Sequence, residues 1–405
     1  MRNLSFTLFM FFWTIFAYGQ SYDEFVASNN IDEKCRLAEK IALHYVSTNI
    51  DSLKLIGEQL LSFSNSKKSK KGIYTSYGII GNAMVRSAQE KKGLELLRKA
   101  KNYFLSVENY DKVTEIYNEI GNGYQFLGDY KEAVKWYEHS LKYGELSTDE
   151  YTSDMAKINI AQALSHLKEF DEAVRYAKEY RDWVLKLGSL KSLTNAYAVL
   201  GSIALERGQY RDAINYFQQC YEFALKAGDN SGQGHAYTNL GIAKFLEGKM
   251  EESVDYFKKA IEFREKVNNI ALICDAYLNY GGIMFELSRY DEAIQYYTIG
   301  LKIAQKNEKY ANEIELLEAL KEVYETVDLE EVEKIALEIE RVQKKEFART
   351  KEQSKFDVVL AKELLESEEI YKSGFTNEND KWSFYIGLGI IFILFTFLAI
   401  RKKVE

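Results

Sequence analysis

Hydrophobic and polar positions along the chain follow one pattern that returns every forty residues. It is clearest in GDYKEAVKWYEHSL, which begins at Gly128. Counterparts begin at Lys168 (KEFDEAVRYAKEYR), Gly208 (GQYRDAINYFQQCY), Gly248 (GKMEESVDYFKKAI) and Ser288 (SRYDEAIQYYTIGL). Each copy keeps an aromatic residue or Met third, a small residue sixth, an aliphatic residue seventh and an aromatic residue or Ala tenth. That spacing puts the apolar positions on one stripe of a helix.

A second amphipathic stretch precedes each copy: YNEIGNGYQFLGDY from Tyr117, KINIAQALSHLKEF from Lys157, AYAVLGSIALERGQY from Ala196, AYTNLGIAKFLEGKM from Ala236 and AYLNYGGIMFELSRY from Ala276. Gly or Ala recurs in mid-helix at 121, 161, 201, 241 and 281, and Gly81 shares the register. Gly within a helix costs about 1 kcal/mol against Ala, so its return at one phase calls for a geometric cause. Close approach to small residues of the second helix, Ala133, Ala173, Ala213, Ser253 and Ala293, is the expected one. Tyr130, Phe170, Tyr210, Met250 and Tyr290 are expected to fold over the turn and seal each pair. A helix hairpin of this kind cannot bury its apolar face alone, so hairpins stack.

Gly121, Tyr124, Gly128, Tyr130, Ala133, Tyr137 and Leu141 together resemble the tetratricopeptide-repeat signature. The resemblance covers six units over roughly 70–305, with degenerate flanking helices expected around 31–64 and 311–345. The family's usual period is shorter and closes on proline. Here Gly188, Gly228 and Asn268 stand at the end of a longer second helix, where a left-handed cap is expected. Forty-residue versions resemble the solenoids of kinesin light chain and of bacterial peptide-pheromone receptors, both binders of peptide segments. The implied fold is all-α: a right-handed superhelical solenoid of antiparallel hairpins.

Composition sharpens this in one respect. The 405 residues contain no proline, while Tyr and Phe number 30 and 23, which fits a continuous helical core. The net charge of −8 and the lack of a basic stripe argue against nucleic acid. Cys35, Cys220 and Cys274 are too scattered for a disulfide framework or a zinc site and read as core thiols. His44, His139, His166 and His235 lie in four different units, and no HExxH, GxSxG or Walker-type loop occurs. The residues point to no enzyme, no cofactor and no metal, and NSKKSKKG at 65–72 reads as an inter-helix loop.

The two ends are apolar. Residues 1–19 have Arg2, an apolar run, then Ala17 and Gly19, the layout of a cleaved secretory signal. From Trp382 to Ile400 no charge occurs; at ~1.5 Å per residue this is about 28 Å of helix, enough to span a bilayer. Arg401, Lys402 and Lys403 follow, so the positive-inside rule makes 401–405 a cytoplasmic tail. The expected order is signal (1–19), solenoid (20–345), charged helical stalk (346–381), transmembrane helix (382–400) and tail (401–405). This places the solenoid outside the inner membrane, in the cell envelope. The order resembles bacterial envelope sensors, but RKKVE is too short for a kinase or a DNA-reading domain. Signalling would then run through a separate membrane kinase or regulator.

In repeats of this kind the first helix of each hairpin lines the concave surface. Two residues before the central Gly or Ala stand Asn159, Asn239 and Asn279. Asn122, Gln125 and Gln162 follow it by one or four, and Asn195 and His235 precede it by six. An amide both donates and accepts, so a ladder of Asn and Gln can pair with the main chain of an extended peptide. In the resembling peptide-binding solenoids, Asn two before the small residue does this. Phe245, Phe285 and Leu205 share one phase and form a candidate apolar patch, while Lys244 and Arg207 complete no clamp. The expected partner is a protein or peptide with apolar side chains.

Overall fold

The computed structural model describes residues 21–46, 49–87, 89–148, 150–267 and 269–349, with no strand among them. The described residues up to Ile339 form one compact unit, and the described residues 340–349 belong to a second and are helical. The expected leader (1–19), most of the stalk (346–381) and the span (382–400) lie outside the described residues. Among the described residues no helix is long and apolar enough to cross a membrane.

In the first unit, helical residues 21–27 (α1) lead into α2 (Ile31–Tyr45), α3 (Ile50–Ser66), α4 (Lys70–Val85) and α5 (Glu90–Ser106). Then come α6 (Tyr110–Phe126), α7 (Tyr130–Gly144), α8 (Glu150–His166), α9 (Phe170–Leu187), α10 (Leu190–Glu206) and α11 (Tyr210–Ala227). The unit continues with α12 (Asn230–Leu246), α13 (Met250–Val267), α14 (Ile270–Glu286), α15 (Tyr290–Lys306) and α16 (Tyr310–Val327). Even-numbered helices from α4 on begin at 70, 110, 150, 190, 230, 270 and 310, and odd-numbered ones at 50, 90, 130, 170, 210, 250 and 290. The forty-residue register thus runs through the flanking helices that looked degenerate.

Without proline, the chain stops and restarts its helices by caps and left-handed residues. Asn30, Ser69, Asn109, Ser189, Asp229 and Asn269 each accept backbone N–H bonds at the start of an even helix, filling donors that the first turn leaves open. Gly188 and Gly228 take φ of 67° and 66° as C-caps, as their type allows. Lys168 and Ser288 adopt the same hand at turns where Gly128, Gly208 and Gly248 stand in other hairpins. Of the basic stretch 65–72, only Lys67, Lys68 and Ser69 are turn; the rest belongs to α3 and α4.

The central glycines meet a different partner from the one expected. A Cβ on Gly121 would lie 2.4 Å from the Tyr137 ring, and one on Gly201 2.4 Å from Phe217. On Gly241 it would lie 2.8 Å from Phe257, and on Gly281 2.5 Å from Tyr297. The glycine makes room for the ring four residues beyond the small residue of the second helix. Where the first helix carries Ala161, the second carries Ala177, and both are fully buried. Ala133, Ala173, Ala213, Ser253 and Ala293 are buried as well, but no ring could fit if both helices were lined by side chains larger than Gly.

Other aromatic side chains join the helices in repeating columns. Tyr197 stacks on Phe223 at 5.3 Å and Tyr237 on Phe263 at 5.6 Å; Tyr130 at the start of α7 stacks on His166 at 4.4 Å. Cys35, Cys220 and Cys274 are buried and free, and burial raises their pKa to about 11, 12 and 11, so they stay protonated thiols.

Candidate functional site

Among the described residues helices pack most closely with their chain neighbours, and the next closest packing joins even helices: α2 with α4, α4 with α6, α6 with α8, α8 with α10, α10 with α12, and α14 with α16. Even helices therefore form one continuous layer and odd helices the other.

The predicted site residues all stand on this layer, but they divide by what they touch. Asn122 and Gln125 are used within their own hairpin. The Tyr137 hydroxyl lies 2.8 Å from Asn122 Oδ1 and 3.0 Å from Gln125 Oε1, and Asn122 Nδ2 donates to Glu119 Oε2 at 3.2 Å. Glu119 also faces Arg86 at 3.4 Å, and Arg86 Nε donates to Asn82 at 2.7 Å. Burial raises the Glu119 pKa, with Arg86 opposing. Close by, Lys112 spans Glu39 at 3.1 Å and Glu115 at 2.6 Å.

Asn159, Gln162 and Asn239 are half-buried and Asn195 and Asn279 exposed. None of the five has a hydrogen-bond partner among the described residues. Gln162 shares the register of Asn122 but meets no counterpart of the Tyr137 hydroxyl. At the position of Tyr137 the next three hairpins carry Ala177, Phe217 and Phe257, which have nothing to offer an amide. The layer of α8, α10, α12 and α14 presents free donors and acceptors on successive helices.

His235 is bound at one nitrogen. Its Nδ1 lies 3.2 Å from Nη2 of Arg264, a residue of α13 that the sequence pattern did not single out. The ring keeps an exposed face, yet desolvation against the helix wall, and then the Arg264 charge, hold its pKa down at about 4. His235 is therefore neutral near pH 7, with Nδ1 as the acceptor. On α14, Asp275 accepts from Asn312 Nδ2 at 3.1 Å, and burial raises its pKa.

Leu205, Phe245 and Phe285 are half-buried and pack against core clusters. Lys244 is taken up by Glu252 at 2.9 Å, and Arg207 by Asp171 at 2.8 Å. Among the described residues no three His, Cys, Asp or Glu side chains are placed to hold a metal ion.

A sequence profile of the tetratricopeptide-repeat family matches residues 112–182, 151–226 and 192–266. No curated protein matches the chain in sequence. Among solved structures, a Rap protein complexed with Competence and Sporulation Factor is similar, with 15% identity, 77% of this chain and 98% of that chain covered, and a TM-score of 0.52. A Rap conjugation regulator of plasmid pLS20 in complex with the Phr* peptide gives 16% identity, coverage of 77% and 84%, and a TM-score of 0.48. A signal-transduction ATPase with a tetratricopeptide-repeat sensor from Pyrococcus horikoshii gives 17%, 72% and 46%, and 0.48. These likenesses are ones of fold, and residues 112–266 are built of tetratricopeptide repeats.

Proposed function

We propose that this tetratricopeptide-repeat solenoid is a binding module that holds an extended peptide or protein segment along its even-helix layer, tethered in the cell envelope by the 382–400 span. The reading rests on one observation above all: Asn159, Gln162, Asn195, Asn239 and Asn279 stand free on successive helices of one layer. A main chain laid across them would satisfy amides that otherwise bond only water, giving affinity without strict dependence on side chains. The similarly folded Rap protein was crystallised with Competence and Sporulation Factor, in keeping with such a role.

The test is crosslinking and affinity capture of the full-length protein from its native membrane, beside a variant with Asn159→Ala, Asn239→Ala and Asn279→Ala. The parent should bring down a defined partner that the variant loses. Equal capture by both would refute the amide mechanism. The charged segment joining solenoid and span motivates a second reading, a sensor acting on a separate membrane kinase or regulator. Replacing the 382–400 helix with an unrelated span would then abolish the response while binding survives.

A further inference from the structure

Arg264 breaks the repeat in which it stands. At the same register the other second helices carry Ser64, Phe104, Gly144, Val184, Ala224 and Ala304, so a charge replaces a core residue. Arg264 is only 5% exposed. Its stem lies along α12, where a Cβ on Gly234 would meet Arg264 Cγ, Cδ and Nε at 3.4 Å. Its head reaches the even-helix layer at α12, where it touches His235.

A guanidinium presents five N–H donors and keeps its charge. This one makes a single polar contact, with the neutral His235 ring, while Nε and Nη1 have no partner. Asp275 acts on it only as a charge at longer range and is held instead by Asn312. A buried cation without an anion in contact is among the costlier things a fold can contain, and water cannot neutralise it. The planar fork of donors matches a carboxylate, which takes two parallel bonds. His235, with its exposed face, is the cover that must turn aside to admit one.

We infer that Arg264 is an anchoring site for a carboxylate of the bound peptide, entering past His235. This rests on the binding reading above and adds the chemistry that the partner must carry. Asn239 stands one helical turn beyond His235 on α12, and Asn279 holds the same register on α14, so a main chain paired with them would run close to His235. The carboxylate comes either from an Asp or Glu side chain or from the peptide's C-terminus.

The experiment uses the full-length protein in detergent and four pools of random dodecapeptides: with or without Asp and Glu, each with a free or an amidated C-terminus. Pools carrying the right carboxylate should be retained about tenfold or more above the amidated, acid-free pool. Which pools these are identifies side chain or terminus. Arg264→Met should abolish the preference without lowering the melting temperature of the free protein, since it removes an unmatched buried charge. Arg264→Lys should lose most of the preference with the fork, and His235→Ala should keep it.

Equal retention of all four pools that still falls in the Asn159, Asn239 and Asn279 variant would overturn the carboxylate site and leave peptide binding standing. Retention of none would overturn both. An Arg264→Met protein that melts several degrees lower and keeps its preference would make Arg264 a core residue only.

Discussion

Replacing Gly201 with Ala tests what sets the spacing of the hairpins. The new Cβ would stand 2.4, 2.6 and 2.9 Å from three atoms of the Phe217 ring, where carbon contacts settle at about 3.5–4.0 Å. Phe217 is fully buried, so the ring cannot swing aside. Overpacking of this kind costs about 1–3 kcal/mol, against a helix-propensity gain of about 1 kcal/mol. The net effect alone is small, and the cycle is decisive. In a Phe217→Ala background, itself about 3–5 kcal/mol less stable, the clash is gone and Gly201→Ala should stabilise by about 1 kcal/mol. The two backgrounds should differ by about 1–3 kcal/mol, read as a coupling energy from urea unfolding followed by helical ellipticity. The double variant recreates the Ala161 and Ala177 pairing that α8 and α9 already use. If Gly201→Ala has the same effect in both backgrounds, the ring does not explain the glycine.

Other outcomes follow from single contacts. Tyr137→Phe should cost about 1 kcal/mol in urea unfolding, because its hydroxyl serves Asn122 and Gln125 in a buried setting. Lys168→Gly should raise stability by about 1 kcal/mol, since Lys168 holds φ at 63° in a turn where Gly128, Gly208 and Gly248 serve elsewhere. His235 has a folded pKa near 4 against 6.5 unfolded, so the unfolded chain binds the proton first and stability drains as pH falls from 6.5 toward 4. His235→Gln should flatten that limb of the pH–stability curve relative to the parent. The difference matters because Asp275 and Glu119, held above the usual carboxylate range, favour the folded state as they protonate.

Period and helix phase were legible because every hairpin must bury the same stripe, and forty-residue columns of Gly, Ala and aromatics display it. The left-handed caps at Gly188 and Gly228 could be read for the same reason. What columns do not show is depth. Gly121 seemed to need Ala133, whereas Tyr137 fills the space; the exchange of Gly and ring for Ala161 and Ala177 was the signal in the sequence. Asn122 and Asn159 likewise occupy inner columns, yet one is tied to other side chains of its own hairpin and the other is free. Asn122 is held by Glu119 of its own helix and by the Tyr137 hydroxyl of the facing one, partners that a column read by itself does not reveal. Arg264 was visible as the charge in a column of mostly small and apolar residues, but only its burial and missing partners give that oddity meaning.

The central claim is that the even-helix layer, and no other surface, receives the partner. The direct test is photo-crosslinking in the cells that make the protein, with a benzophenone amino acid placed once at Ser202 on α10 and once at exposed Lys178 on α9. Adducts of one partner from position 202 and none from 178 are the predicted result. Adducts from 178 alone, or equal yields from both, would contradict it.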